Sequence, residues 1–354
     1  MLAGCLRSAN LGGGMSKERF ELLDVMRGIA ALAVVVGHAN DILGDPKYTG
    51  STGLAVDFFF CLSGFVVAHA YGDRLQAGAL SYGRFVYKRL LRLFPMILIG
   101  ALLGFAAHLY VNHEAAWVDG AMSMVMIPRL SGYLAFPLDV PMWSLPYEIG
   151  ASLAFGLVVK ICPKVIPWAL VVSGIVLAAC VWKAGHVISF GVGSAPGIAK
   201  GLLRITYPVL LGAVLCRYRN RLPRVPSFVA PLALVAVLLT VTPWTGPYQT
   251  VAVMIVLPLI VAAGVKGTVS PRLLFLERLS YPLYLVHWPV LLMVCHTLQG
   301  RAPGPVVGAV AIATACAVAW LLLVAYDEPA RRWLASRLDL LNDPQLAPKP
   351  ALAA

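Results

Sequence analysis

The sequence predicts an all-α, polytopic transmembrane helical bundle of about ten spans, with both termini in the cytoplasm. Three observations lead there. Of 354 residues, 60% are hydrophobic and 12% charged, whereas soluble domains are roughly 45–50% apolar and about 25% charged. Apolar stretches near the ~20 residues needed to cross a bilayer recur almost end to end. Lys and Arg collect in alternate gaps between those stretches, as they do in loops on the cytoplasmic face.

The spans are expected over 25–43, 53–71, 91–111, 143–160, 166–183, 201–216, 227–243, 248–265, 279–298 and 304–326. The stretch 118–136 is apolar but broken by Pro128, Arg129 and Gly132. It reads as an interfacial or re-entrant segment, because irregular backbone at membrane depth has to be buried in protein or line a cavity. With the N-terminus inside, all but six of the 28 Lys and Arg fall on the cytoplasmic side. The six are Lys47, Arg129, Lys183, Lys200, Arg204 and Arg301. An eleventh span at 118–136 would reverse every later loop and destroy that bias.

The domain reading is a cytoplasmic segment over 1–20, a membrane domain over 21–335 and a disordered tail over 336–354, with Pro344, Pro348 and Pro350. Met15, just after Gly12–Gly14, is a second candidate start. Leu2–Cys5 has the form of a lipoprotein cleavage box, but no apolar run precedes it. A net charge of +12 raises nucleic acid as a partner. The cations sit between apolar runs without interleaved aromatics, which suits lipid headgroups and not a nucleic acid. The seven cysteines include no CxxC pair and read as small apolar packing residues.

Ionisable residues within spans are expensive, so each is a functional hypothesis. Arg27 and His38 are eleven residues apart in the first span. On a helix that is about 20° off three full turns and about 16 Å of rise, so the two side chains share one face at different depths. Arg27 would sit near the cytoplasmic mouth, where Asp24 can pair with it, and His38 in the outer half. Taken alone, the pair also fits a loop-side arginine and a histidine satisfied within the bundle.

In the second span, Ser63 and Gly64 read as small packing residues. Asp57 is either an interfacial charge or the partner of something buried. Arg89 and Arg92, one turn apart at the entry of the third span, suit either phosphate groups or lipid headgroups. The fourth span opens Trp143-Ser144-Leu145-Pro146-Tyr147-Glu148. Glu148 is either a snorkelling carboxylate or a group that holds His38. The ninth span carries Tyr284 and His287 between Pro282 and Pro289, a kinked helix with freed carbonyls. Those two, with Trp143, are the candidate substrate contacts, and packing explains His287 equally well.

Taken in order, the Arg-x10-His helix, FFFCLSGF (58–65), KRLLRLFP (88–95), WSLPYE (143–148), SYPLYLVHWP (280–289) and YDEP (326–329) resemble the membrane acyltransferase family 3. Each motif alone is weak; the ordered set, spanning roughly 20–335, is specific. The resemblance implies an acyl-CoA donor, usually acetyl-CoA, on the cytoplasmic side of the inner membrane. It implies a hydroxyl of a cell-envelope or exported glycan, or of a glycolipid, as acceptor, and no metal. By the family pattern Arg27 and His38 are the essential pair, Arg89 and Arg92 belong to the donor motif, and Trp143 and Glu148 to the fourth. Pro146-Tyr147 departs from that fourth motif. An added extracytoplasmic esterase-like domain, found in many members, is not expected here.

The reaction expected on that basis has His38 as general base or acyl carrier, with Glu148 orienting its imidazole. The competing class is a proton-coupled transporter of a glycoside or related anionic solute, for which buried His and Glu would serve. Against it, no internal repeat is visible.

Overall fold

The structure is a computed structural model that describes residues 19–44, 50–187, 190–193 and 195–337. Met15 and the expected tail from 338 onward lie outside the described residues. Among the described residues there is no strand, and nine helices are long and apolar enough to cross a membrane.

These nine are α1 (Glu21–Ile42), α2 (Thr52–Gln76), α3 (Tyr82–Asn112), α5 (Val140–Ile161), α6 (Pro163–Ala184), α7 (Ala195–Arg217), α9 (Thr245–Gly264), α10 (Pro271–Leu298) and α11 (Gly304–Leu334). Two shorter helices join them, α4 (Trp117–Met124) and α8 (Val229–Leu239). The α4 segment continues as irregular chain to Asp139, so 118–136 does not form a span.

The seventh expected span is the one that comes out short. Eleven residues rise about 16 Å, roughly half the hydrocarbon thickness. Prolines bracket it, with Pro226 before it and Pro243 after it. Hydrogen bonds hold the chain on either side of it. At one end, the Lys266 amine after α9 donates to the carbonyls of Asn220 and Leu222 after α7, at 2.9 and 2.5 Å. At the other, Ser51 N–H donates to Leu238 O at 2.8 Å, beyond the end of α1.

Helix α10 forms the spine of the bundle and packs against α1, α3 and α11. Pro289 removes the amide that would bond Leu285 O in an unbroken helix. Gly100 of α3 approaches that carbonyl so closely that an added Cβ would lie 2.9 Å from it. The freed carbonyl is thus covered by backbone and not by lipid. The tightest seam joins α2 and α7. There Gly64 lies against the Val209 carbonyl and Gly212 against the Cys61 carbonyl, each with no room for a side chain. At the periphery, α6 turns most of its surface outward, with Trp168 and Trp182 exposed near its two ends. Fourteen residues place them about 21 Å apart, a spacing suited to two membrane interfaces.

Candidate active site

The bundle holds its charged side chains at three levels. At the Arg27 end, α1 and α10 are joined by a network. Arg27 donates to Ser280 Oγ at 3.1 Å and pairs with Glu277 at 3.3 Å and Asp24 at 3.8 Å. Arg19 adds bonds to Glu277 and Asp24 at 2.7 and 3.4 Å. Arg27 therefore clamps two helices through carboxylates, and Asp24 contributes the longer contact. Glu277 was not legible as a partner, because nothing local links 24–27 to 277.

At the middle level Glu148 Oε1 accepts from Ser63 Oγ at 3.0 Å and faces Arg89 Nη2 at 3.5 Å. This corrects two expectations. Glu148 does not reach His38: α5 begins with a tight turn at Val140, and the helix packs on α2, α3 and α7. Ser63 is not a packing residue but a donor to that carboxylate. Arg89 is buried, and its Nε has no partner. Arg92 is half-buried on the same helix.

At the third level His38 stacks on His287, with ring centroids 5.4 Å apart and planes at 29°. The Trp288 ring meets His38 edge-on at 5.1 Å. The carboxylate beside His38 is that of Asp41, 3.6 Å from Nδ1 and one turn along α1. His287 Nδ1 lies 3.0 Å from Leu283 O. A carbonyl only accepts, so Nδ1 carries the proton and Nε2 is left as a bare lone pair. That Nε2 and Trp288 Nε1 are buried without hydrogen-bond partners.

Tyr284 stands one turn below His287 at a ring distance of 5.9 Å. Its hydroxyl lies 2.7 Å from Ser144 Oγ and 3.0 Å from Pro141 O. Ser144 thus ties the start of α5 to α10. His38 itself is partly open, its side chain 27% exposed.

Two buried acids frame this level. Asp57 receives two bonds from Arg204, at 2.9 and 2.7 Å, with the pair 1% and 0% exposed. Arg204 also donates to the carbonyls of Gly53 and Phe190 and lies 5.2 Å from the Trp143 ring. Trp143 is thereby packed under a guanidinium, away from the histidine pair. The sequence sets Arg204 among the six cations outside the cytoplasmic groups; its position inside the expected span 201–216 is the signal for a buried partner.

The second acid, Asp139, precedes α5 and lies outside the spans. It is fully buried, neither carboxyl oxygen has a partner, and burial pushes its pKa well above the usual carboxylate range. The folded state then holds a proton that the unfolded chain releases near pH 3.9. Stability is therefore greatest at and below that pH and falls as pH rises toward the folded-state value, by up to ~1.4 kcal/mol per unit. Asp139→Asn is expected to melt at the same temperature as wild type near pH 4 and at a higher one at pH 8. Parallel melting curves at both pH values would mean the carboxyl is solvated.

The described residues contain no group of three or more His, Cys, Asp or Glu arranged to hold a metal. A curated relative, "Protein 2 in picA locus" from Rhizobium radiobacter, is 43% identical over 133 residues, 36% of this chain and 65% of that protein. The chain thus spans just under two thirds of the length of the curated relative it matches. No solved structure matches. The family model described as an acyltransferase domain matches residues 20–324, a range that holds Arg27, Arg89, Glu148, His38 and His287. By that match the chain belongs to the membrane acyltransferase family 3.

Proposed function

We propose that the chain is an integral O-acyltransferase of the cytoplasmic membrane, moving an acyl group, acetyl by preference, from cytoplasmic acyl-CoA to a hydroxyl of an extracytoplasmic or membrane-linked glycan. Both termini then face the cytoplasm, and the Arg27 end of the bundle is the inner one. The observation that carries this reading is the stacked His38–His287 pair, partly open, and set off along α10 from the arginines of α3. Tyr281, whose hydroxyl donates to Leu93 O at 2.7 Å, marks the arginine level. Six residues to His287 make about 9 Å.

In this reading the donor's charged end rests on Arg89 and Arg92, whose planar forks suit phosphate. Its thioester reaches His38. His38 takes the proton of the acceptor hydroxyl as that oxygen attacks the thioester carbonyl. The C–S bond then breaks, and the proton passes to the departing thiolate, giving free CoA. An acyl-histidine intermediate would divide the same transfer into two steps. Glu148 holds Arg89 in place from the middle level, and Tyr284, His287 and Trp143 line or support the acceptor side.

The test is CoA release. Purified protein given acetyl-CoA and mixed envelope glycans is expected to liberate thiol in proportion to the glycan acylated. Solute uptake into proteoliposomes without thioester cleavage would replace this reading with that of a carrier.

A further inference from the structure

The donor-side arginines of α3 do not stand alone. Arg92 makes no hydrogen bond or ion pair among the described residues. The helix Glu328–Arg337, which carries Arg331, packs directly on α3, and this brings Arg92 within electrostatic range of Arg89, Tyr281, Asp327 and Arg331. Two of those neighbours are cations, Arg89 with its buried Nε unpartnered and Arg331 of the helix that closes the chain's last span. Glu148 and Asp327 each pair with one of these cations, which leaves Arg92 as the guanidinium without an ion pair, and phosphate is the anion such planar forks match.

Arg331 is brought there by a local irregularity. Residues Leu323–Asp327 form a π-turn just before Glu328–Arg337. The extra residue in that turn swings the following helix face by about 100°. It places Asp327 in the bundle at 0% exposure, with Oδ1 unpartnered, and sets Arg331 against its other oxygen. On the adjacent face of the same helix, Glu328 pairs with Arg278 of α10 and with Arg332. One face of the helix is thus closed by its own ion pairs, and the other offers Arg331 to the arginines of α3.

We propose that Arg331 is the third arginine of a phosphate site shared with Arg92 and Arg89, that this site takes the nucleotide end of the acyl donor, and that Asp327 is the positioning residue that holds Arg331 there. The inference rests on the donor reading above and adds to it a contribution from the last helix. An anionic lipid headgroup carries the same phosphate chemistry, so the test separates the two sources.

The probe is adenosine 3′,5′-bisphosphate, the phosphorylated nucleoside of CoA, titrated calorimetrically into the full chain in phosphatidylcholine nanodiscs. Wild type is expected to bind, with Arg331→Ala ~10- to 100-fold weaker, as for loss of a charge-assisted contact. Arg331→Lys should be intermediate, and Arg332→Ala, on the closed face, within about twofold of wild type. Arg331→Ala also leaves Asp327 without its partner, so Asp327→Asn/Arg331→Gln serves as the variant that removes both charges, and the same loss of binding is expected. Unchanged affinity in both Arg331 variants, with Arg89→Ala still weakened, overturns the role of Arg331 and leaves the donor reading standing. No binding to wild type, with phosphatidylglycerol retained by wild type and lost by Arg331→Ala, makes the site a headgroup site and overturns both.

Discussion

His38→Ala is expected to abolish CoA release while leaving membrane insertion and melting temperature close to wild type. A positioned general base contributes about 10²- to 10⁴-fold, and a residue that also carried the acyl group would remove the route altogether. The side chain is partly open and makes one long contact with Asp41, so its removal forfeits the ring contacts with His287 and Trp288 and little else. The assay compares thiol release by the two proteins at saturating acetyl-CoA, with free imidazole added to the variant. Partial restoration by imidazole would tie the loss to the missing ring and not to a disturbed helix. Full activity in the variant would take His38 out of the chemistry and pass the base to His287, whose bare Nε2 has no other assignment.

The largest loss of stability is expected from Arg204→Ala. Truncation leaves the Asp57 carboxylate buried and unpaired, at a cost of about 3–5 kcal/mol. It also strips donors from the carbonyls of Gly53 and Phe190 and the cation from the face of Trp143. Replacing both charges by apolar side chains, Asp57→Leu/Arg204→Met, should recover most of that loss, because the desolvation cost of the ion pair disappears with it. Thermal unfolding of the three proteins in one detergent checks the order: the double variant near wild type, the single far below both. A single variant that melts with wild type would mean water reaches the pair. Activity lost in Arg204→Ala alone would then report lost packing around Trp143 and no role in the transfer.

Hydropathy made the depth of each residue legible, and azimuth only within a helix. Arg27 and His38 were placed on one face because both lie on α1, where helical geometry fixes their relation. Glu148 was assigned to His38 from depth alone. Which neighbour its face met depended on α5 packing between α2, α3 and α7, and no local pattern encodes that. The same gap hid Arg204, whose partner Asp57 is 147 residues away, and Glu277, whose partners Arg19 and Arg27 lie just before and within α1. The short α8 was read as a full span because the apolar run continues past its prolines; composition registers the run and not the missing amides. Asp139 escapes notice because a polar residue in a loop is ordinarily solvated, whereas here Gly104 of α3 lets the helix approach it closely.

The glycine seam between α2 and α7 has a mechanical consequence. With carbonyl oxygens packed where side chains would stand on both helices, neither can slide or roll without driving backbone into backbone. The two helices behave as a fixed strut, and the Asp57–Arg204 pair locks the strut near one end. Trp143, lying against that locked end, is a stationary wall. Admission of a substrate to the histidine pair then falls to α1, α5 and α10; because Gly28 pins α1 to the Leu276 backbone of α10 at the Arg27 end, those helices can part only at the histidine end, while the strut keeps the membrane sealed behind them.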